Sequence, residues 1–261
     1  MTSTQQMLYG LAMGERNGGP IRMALRLGDS LVACNGFDAD DVFARYHDWW
    51  RNGAFDTGNV FMHVMALADR GYGPAEAAQL ADQKLAGRTA GVNPAHRIAP
   101  LAACMAITDT ALAGVARQET ALTHQHPLAT DSAAFMAVML RALLKGAGID
   151  EARARASSEV SDALRAHLDR PGPLRVERGF APDILANALC FIDQAADADA
   201  ALTSALAHAG PANYGPVLVG ALAGAAFGDI SRTDVLAVQG EALTRALDQL
   251  ADRLGGWAKR R

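Results

Sequence analysis

Apolar residues recur every three to four positions along most of this chain, and no stretch alternates apolar and polar with a period of two. Such a pattern buries one stripe of a helix and cannot cover one face of a sheet, so it predicts an all-α fold. Val42, Phe43, Tyr46, Trp49 and Trp50 show it most clearly. Asp38 precedes them as an N-cap, and Asp40 and Asp41 fall in the first turn, where the helix dipole favours negative charge. Asn52 and Gly53 stop that helix.

The same reasoning places helical segments over residues 5–14, 21–34, 57–70, 74–85, 127–145, 150–168, 182–195, 197–208, 213–227 and 233–254. Residues 98–122 read as two helices of small residues, the second running 109–123. Arg170-Pro171-Gly172-Pro173 is the clearest break, but one helical pattern follows another across it, so residues 1–261 read as a single domain. Half of the residues are hydrophobic, enough for a sizeable core, while only 6% are aromatic; small residues permit close helix packing.

A net charge of −4 argues against nucleic acid as a main partner, and Lys259-Arg260-Arg261 reads as a solvated end. Cys34, Cys104 and Cys190 are isolated and odd in number, which gives no disulfide or zinc pattern. The start lacks a charged segment followed by an apolar one, so no signal peptide is expected. The longest apolar run, 216–227, is shorter than the roughly 20 residues a bilayer requires. A cytoplasmic, reducing location is the resulting expectation, with no membrane partner.

Residues 91–127 hold the densest set of candidate functional groups. Asn93 and Pro94 mark a turn, because proline fixes its own φ and disfavours the helical region for the residue before it. His96 and Arg97 follow, then the apolar Ile98-Ala99-Pro100-Leu101. A buried arginine requires an anionic or carbonyl partner, so Arg97 either positions its own loop or binds a phosphate. The run closes on Thr123-His124-Gln125-His126-Pro127. An H-x-H pair alone is weak evidence for a metal. The plain reading has His124 as a buried hydrogen-bonding residue and His126 as a cap on the next helix; the functional one has His124 lining a pocket. Earlier, Asp56 stands just before a predicted helix in Gly53-Ala54-Phe55-Asp56-Thr57-Gly58-Asn59. It serves there as an N-cap, or as a carboxylate that holds a sugar hydroxyl or activates water.

These segments together resemble the ADP-ribosylglycohydrolase family, whose members include the enzyme that removes ADP-ribose from dinitrogenase reductase and the ADP-ribosylarginine hydrolases. The likeness covers most of the chain. Asp56-Thr57-Gly58 resembles the family's Asp-x-Gly segment, whose carboxylate lies close to the scissile bond. Asn93 to Leu101 resembles a loop that touches the distal ribose and phosphates, with Asn93-Pro94 here in place of Asn-Gly and His96 in place of an apolar residue. Thr123-His124 matches the family's Thr-His.

Two family motifs are missing. A Thr-Asp-Asp-Thr motif precedes the helix that here holds Met23-Ala24-Leu25, yet this chain has Gly18-Gly19-Pro20-Ile21. An Asp-x-Asp-Thr precedes the helix that here holds Gly220-Ala221-Leu222, yet this chain has Pro211-Ala212-Asn213-Tyr214. The family's magnesium pair therefore lacks its carboxylates, and magnesium is a hard cation that wants oxygen ligands. No cofactor is expected, with magnesium implied by the resemblance alone. Glu15, Arg16 and Asn17 on one loop, and Asn213 and Tyr214 on the other, stand where those motifs fall. The resemblance implies an enzyme acting on an ADP-ribosyl conjugate. Asp56 or Glu15 would be acid or base, and Asn93, His96, Arg97, His124, Asn213 and Tyr214 would hold the substrate. The alternatives are a protein that binds ADP-ribose or a nucleotide without chemistry, and a helical scaffold kept for another use.

Overall fold

The computed structural model describes residues 1–170, 172–174, 178–209 and 214–255. Over them the chain forms sixteen helices. In order these are α1 Ser3–Gly14, α2 Gly19–Ala33, α3 Ala39–Arg51, α4 Asn59–Ala68, α5 Pro74–Lys84, α6 Asn93–Arg97, α7 Ala99–Ala103 and α8 Asp109–Ala121. The second half holds α9 Pro127–Leu144, α10 Ile149–Ser158, α11 Asp162–Leu168, α12 Ala181–Gln194, α13 Ala198–Ala209, α14 Tyr214–Ala226, α15 Arg232–Gln239 and α16 Glu241–Gly255. Among the described residues the single extended pairing is an antiparallel bridge between Gly91 and Phe180. The fold is all-α, as the periodicity predicts.

Two helices form the axis of the molecule. α1 and α14 cross with their backbones almost in contact, because glycine faces backbone at each crossing point. A Cβ on Gly10 would stand 1.9 Å from the carbonyl oxygen of Gly220, and one on Gly14 would stand 2.0 Å from that of Pro216. α14 packs further against α9, α12 and α13, and α1 against α15 and α16. α9 gathers α6, α7, α8 and α10 around it. Its 18 residues are long and apolar enough to cross a membrane, but 72% of them are buried inside the protein, the position of a core helix.

Arg141 shows how α9 organises its neighbours. It is buried, and its guanidinium donates to the carbonyls of Leu101, Ala102, Cys104 and Ile107 and to Asp109. It thereby closes the C-terminal end of α7, whose last carbonyls have no partner within the helix.

Helix ends follow local chemistry. Asp38 caps α3 by accepting from the Asp41 amide at 2.9 Å, as expected. Three expectations are corrected. The predicted helix over 150–168 is two, because Ser161 caps α11 and its own amide donates to Asp131 on α9. The predicted helix over 233–254 is also two: Gly240 at φ +79° ends α15, a conformation that L side chains rarely adopt. Asn93-Pro94 opens α6 rather than forming a turn outside a helix, since proline in a first turn gives up an amide that had no partner there.

Candidate active site

Helix starts converge on one cleft of about 640 Å³. Its wall takes Pro20 from the first turn of α2, Gly58 and Asn59 from the start of α4, and His126 and Phe180, the N-caps of α9 and α12. Tyr214, the first residue of α14, completes that side. A helix start carries partial positive charge and unbonded amides. The N-cap residues of α2, α4 and α12 make no side-chain capping bond. Arg88 and Arg178 line the same wall. Two backbone bonds tie their loops together, Val92 N–H to Gly179 O and Ala181 N–H to Ala90 O, both at 2.9 Å. Asp56 is the one carboxylate among the described lining residues.

The cleft brings together Asp56, Asn93, His96, His124 and Tyr214, five of the eight residues singled out from the sequence. Asp56 is exposed and sits at φ +51°, in the left-handed region. Asp56 is not at the N-cap position of α4, which is Gly58. Its backbone is wedged against the α2 start, where a Cβ on Gly19 would lie 2.2 Å from the Asp56 carbonyl oxygen.

His96 is 4% exposed, and its Nε2 is 2.8 Å from the carbonyl oxygen of Tyr214. A carbonyl only accepts, so Nε2 carries the proton and Nδ1 is left as an acceptor. His124 is equally buried, with Nδ1 2.8 Å from Thr123 Oγ1 and its ring on the cleft wall. Both readings of His124 therefore hold together: it is a buried hydrogen-bonding residue and it lines the pocket. His126 is the cap of α9, its Nδ1 accepting from the Leu128 amide at 3.1 Å.

Two expected residues, Arg97 and Glu15, are not among the described residues that line the cleft. Arg97 is fully buried, its Nε 2.6 Å from Glu119 Oε1 and its guanidinium over the Tyr46 ring. It is not part of the cleft lining, and it bonds instead to Asn93 and Thr123 beneath it. Glu15 is 2% exposed and turned into the α1–α2 turn, where its Oε1 accepts from the amides of Arg16 and Asn17. Among the described residues it does not line the cleft. Asn213 lies outside the described residues.

Sequence reasoning missed Arg88, Arg178 and Phe180, which are ordinary loop and cap residues until the Gly91–Phe180 bridge brings them together. It also missed Glu119 and Tyr46, although both lie on otherwise buried helix faces. Another groove, between α2, α3 and α16, has Arg45 paired with Asp41 at 2.6 Å and Arg253 with Asp29 at 2.7 Å. Its charges largely satisfy one another.

A family model described as ADP-ribosylglycohydrolase matches residues 9–260, nearly the whole chain. The chain belongs to the ADP-ribosylglycohydrolase family. A solved structure titled "ADP-ribosylglycohydrolase-related protein complex" shares its fold, with a TM-score of 0.79, 23% identity and 97% of each chain covered. No curated protein matches.

Residues 18–21 and 211–214, where the family's magnesium pair would take its carboxylates, contain no Asp or Glu. Among the described residues no group of three or more His, Cys, Asp or Glu is placed to hold a metal ion. At the first missing motif, Gly19 faces the Asp56 carbonyl at a distance that leaves no space for a side chain.

Burial pushes the His96 imidazole down to about 4 from an ordinary 6.5, with the Arg97 charge adding to it and the Tyr214 carbonyl opposing. His124 is held well below its ordinary value by burial and by Arg97. Well above pH 6.5 neither histidine is charged, folded or unfolded, and neither contributes a slope. Between 6.5 and about 4, only the unfolded chain takes up the proton at residue 96. Stability therefore falls with pH by up to about 1.4 kcal/mol per unit from this residue. Urea midpoints measured from pH 7.5 to 4.5 should drop more steeply in the wild type than in His96→Gln, which offers a donor to Tyr214 but does not titrate. Parallel curves would contradict the buried neutral imidazole.

Proposed function

We propose that this cleft binds the ADP-ribosyl group and that the protein hydrolyses the bond at the anomeric carbon of an ADP-ribosyl conjugate without the usual magnesium pair. The observation that carries the reading is the convergence of helix starts and two arginines on one cleft with a single carboxylate. Helix starts are natural sites for phosphate oxygens, and Arg88 and Arg178 add full positive charge at the rim. Tyr214 and Phe180 offer aromatic faces to a nucleobase, and Asn93 and His124 offer polar groups to ribose hydroxyls.

Asp56 is then the residue that meets the sugar. Cleavage at an anomeric carbon develops positive charge on the ring, which a neighbouring carboxylate stabilises while it orients or deprotonates water. The histidines are poor candidates for that proton, because both are held neutral with depressed basicity.

One observation favours a second reading, a protein that binds ADP-ribose and leaves it intact. Glycosidic hydrolysis ordinarily uses two carboxylates, and this cleft presents Asp56 alone among its described residues. A thermal-shift series with ADP-ribose, adenine nucleotides and divalent cations separates the cases, since a ligand of the folded state raises its melting temperature. Stabilisation by ADP-ribose in the presence of chelator, with release of free ADP-ribose from an ADP-ribosylated arginine conjugate, is the expected result. Stabilisation without release would support the binder. No stabilisation by any adenine nucleotide or ADP-ribose would refute the assignment of the cleft.

A further inference from the structure

Asn93 and His124 reach the cleft from different elements, α6 and the turn between α8 and α9, yet one buried cation bonds Asn93 directly and Thr123, the hydrogen-bond partner of His124. Arg97 donates through Nη1 to Asn93 Oδ1 at 2.8 Å and through Nη2 to Thr123 Oγ1 at 2.9 Å. Its Nε is taken by Glu119 at 2.6 Å, and the Tyr46 hydroxyl donates to the same carboxylate oxygen at 2.7 Å. Arg97, Tyr46 and Glu119 are all fully buried. We propose that Arg97, anchored by Glu119 and Tyr46, is a positioning residue that makes Asn93 and His124 a matched pair of hydrogen-bond donors toward acceptor oxygens of the ligand, with Thr123 as the intermediary. The inference rests on the reading of the cleft as a ligand site.

The directions of these bonds follow from what each group can do. A guanidinium has donors and no acceptor, so the Asn93 oxygen must face Arg97 and its amide nitrogen must face away. That nitrogen has only a weak contact, 3.9 Å to Met23 Sδ. At Thr123, Arg97 occupies one lone pair of the hydroxyl, and the hydroxyl proton has two acceptors within reach. Thr120 O is 3.4 Å away and His124 Nδ1 is 2.8 Å away. The shorter contact takes the proton, which leaves His124 with its own proton on Nε2. Gly91 keeps that nitrogen accessible, since even a Cβ there would come within 3.2 Å of it.

A chain of donation thus runs from a buried cation through a hydroxyl to an imidazole N–H. Each link polarises the next, and the low-dielectric surroundings strengthen it. The cleft consequently selects hydroxyl, carbonyl or phosphoryl oxygens at this wall over cationic or purely donating groups. His124 acts as a donor and not as a base, which leaves proton abstraction to Asp56.

The tautomer is directly measurable. A multiple-bond proton–nitrogen correlation spectrum of the labelled protein at pH 7 should show His124 protonated at Nε2; protonation at Nδ1 overturns the proposal. Thr123→Val preserves shape and removes the hydroxyl. It should release His124 toward the other tautomer and weaken ADP-ribose binding about tenfold, the effect of one lost hydrogen bond. Thr123→Ser should restore both. A Thr123→Val protein with unchanged tautomer and unchanged affinity overturns the relay. If that variant fails to fold, the wild-type and Thr123→Ser spectra still decide, because each must show the Nε2 proton. The spectra need no ligand, so an intact Nε2 tautomer with no ADP-ribose affinity would defeat the reading of the cleft and not the relay.

Discussion

Asp56→Asn should lower turnover of an ADP-ribosyl conjugate by roughly a hundredfold or more, the usual scale for one positioned acid–base group. Its melting temperature should stay within about 2 °C of wild type. The separation of the two effects comes from the structure. Asp56 is exposed and stands at φ +51°, a conformation that asparagine tolerates as well as aspartate does. The N-cap position of α4 is Gly58 and not Asp56, so the substitution leaves that position as it is. What the substitution removes is the one carboxylate among the described residues of the cleft. Affinity for ADP-ribose itself should change little, since the bond at risk is absent from that product. Turnover that survives unchanged would take Asp56 out of the mechanism.

The second large effect is on stability. Glu119→Ala would leave the Arg97 guanidinium buried without its counter-charge and the Tyr46 hydroxyl without its acceptor. Breaking a buried pair by removing one partner costs about 3–5 kcal/mol, because the remaining charge is stranded in a low-dielectric site. For a chain of this size that corresponds to a fall in Tm of roughly 10 °C. Glu119→Gln keeps an oxygen acceptor for Tyr46 and should cost less. Thermal unfolding of both variants beside wild type checks this, and a Glu119→Ala protein within about 2 °C of wild type would show that the pair is not what holds α6 to α8.

Much of the fold was legible because helix ends are local chemistry. Asp38 and His126 announced caps, and the segments expected from positions 74 and 127 begin at Pro74 and Pro127. The breaks at Ser161 and Gly240 were missed for one shared reason. Each interrupts a segment whose apolar spacing continues on either side, so periodicity alone runs across the break.

The site was legible in part. Asp56, Asn93, His96, His124 and Tyr214 meet at one cleft although up to 158 positions separate them, and the motifs at helix starts identified each of them. The role of Arg97 depended on a partner 22 residues away. A helical reading of 109–123 puts Glu119 and Thr120 on the face of Leu112, Ala113 and Ala116, which is buried. A carboxylate on an apolar face asks for a buried cation, and Arg97 in its own apolar stretch asks for a buried anion. The two requests were there to be matched. The rim arginines gave no comparable signal: Arg88 and Arg178 acquire their meaning from the pairing of two loops, a long-range contact that no local pattern encodes.

The account stands on the cleft being the ADP-ribosyl site. The most direct test is a titration of the isotopically labelled protein with ADP-ribose in chelator-containing buffer, followed by amide and side-chain correlation spectra. Shifts should concentrate on Gly58, Asn59, Gly91, the Asn93 side chain, Gly179 and Tyr214, and the Arg26 to Asp48 groove should stay unperturbed. Shifts confined to that groove, or no saturable shift at the cleft, would contradict it.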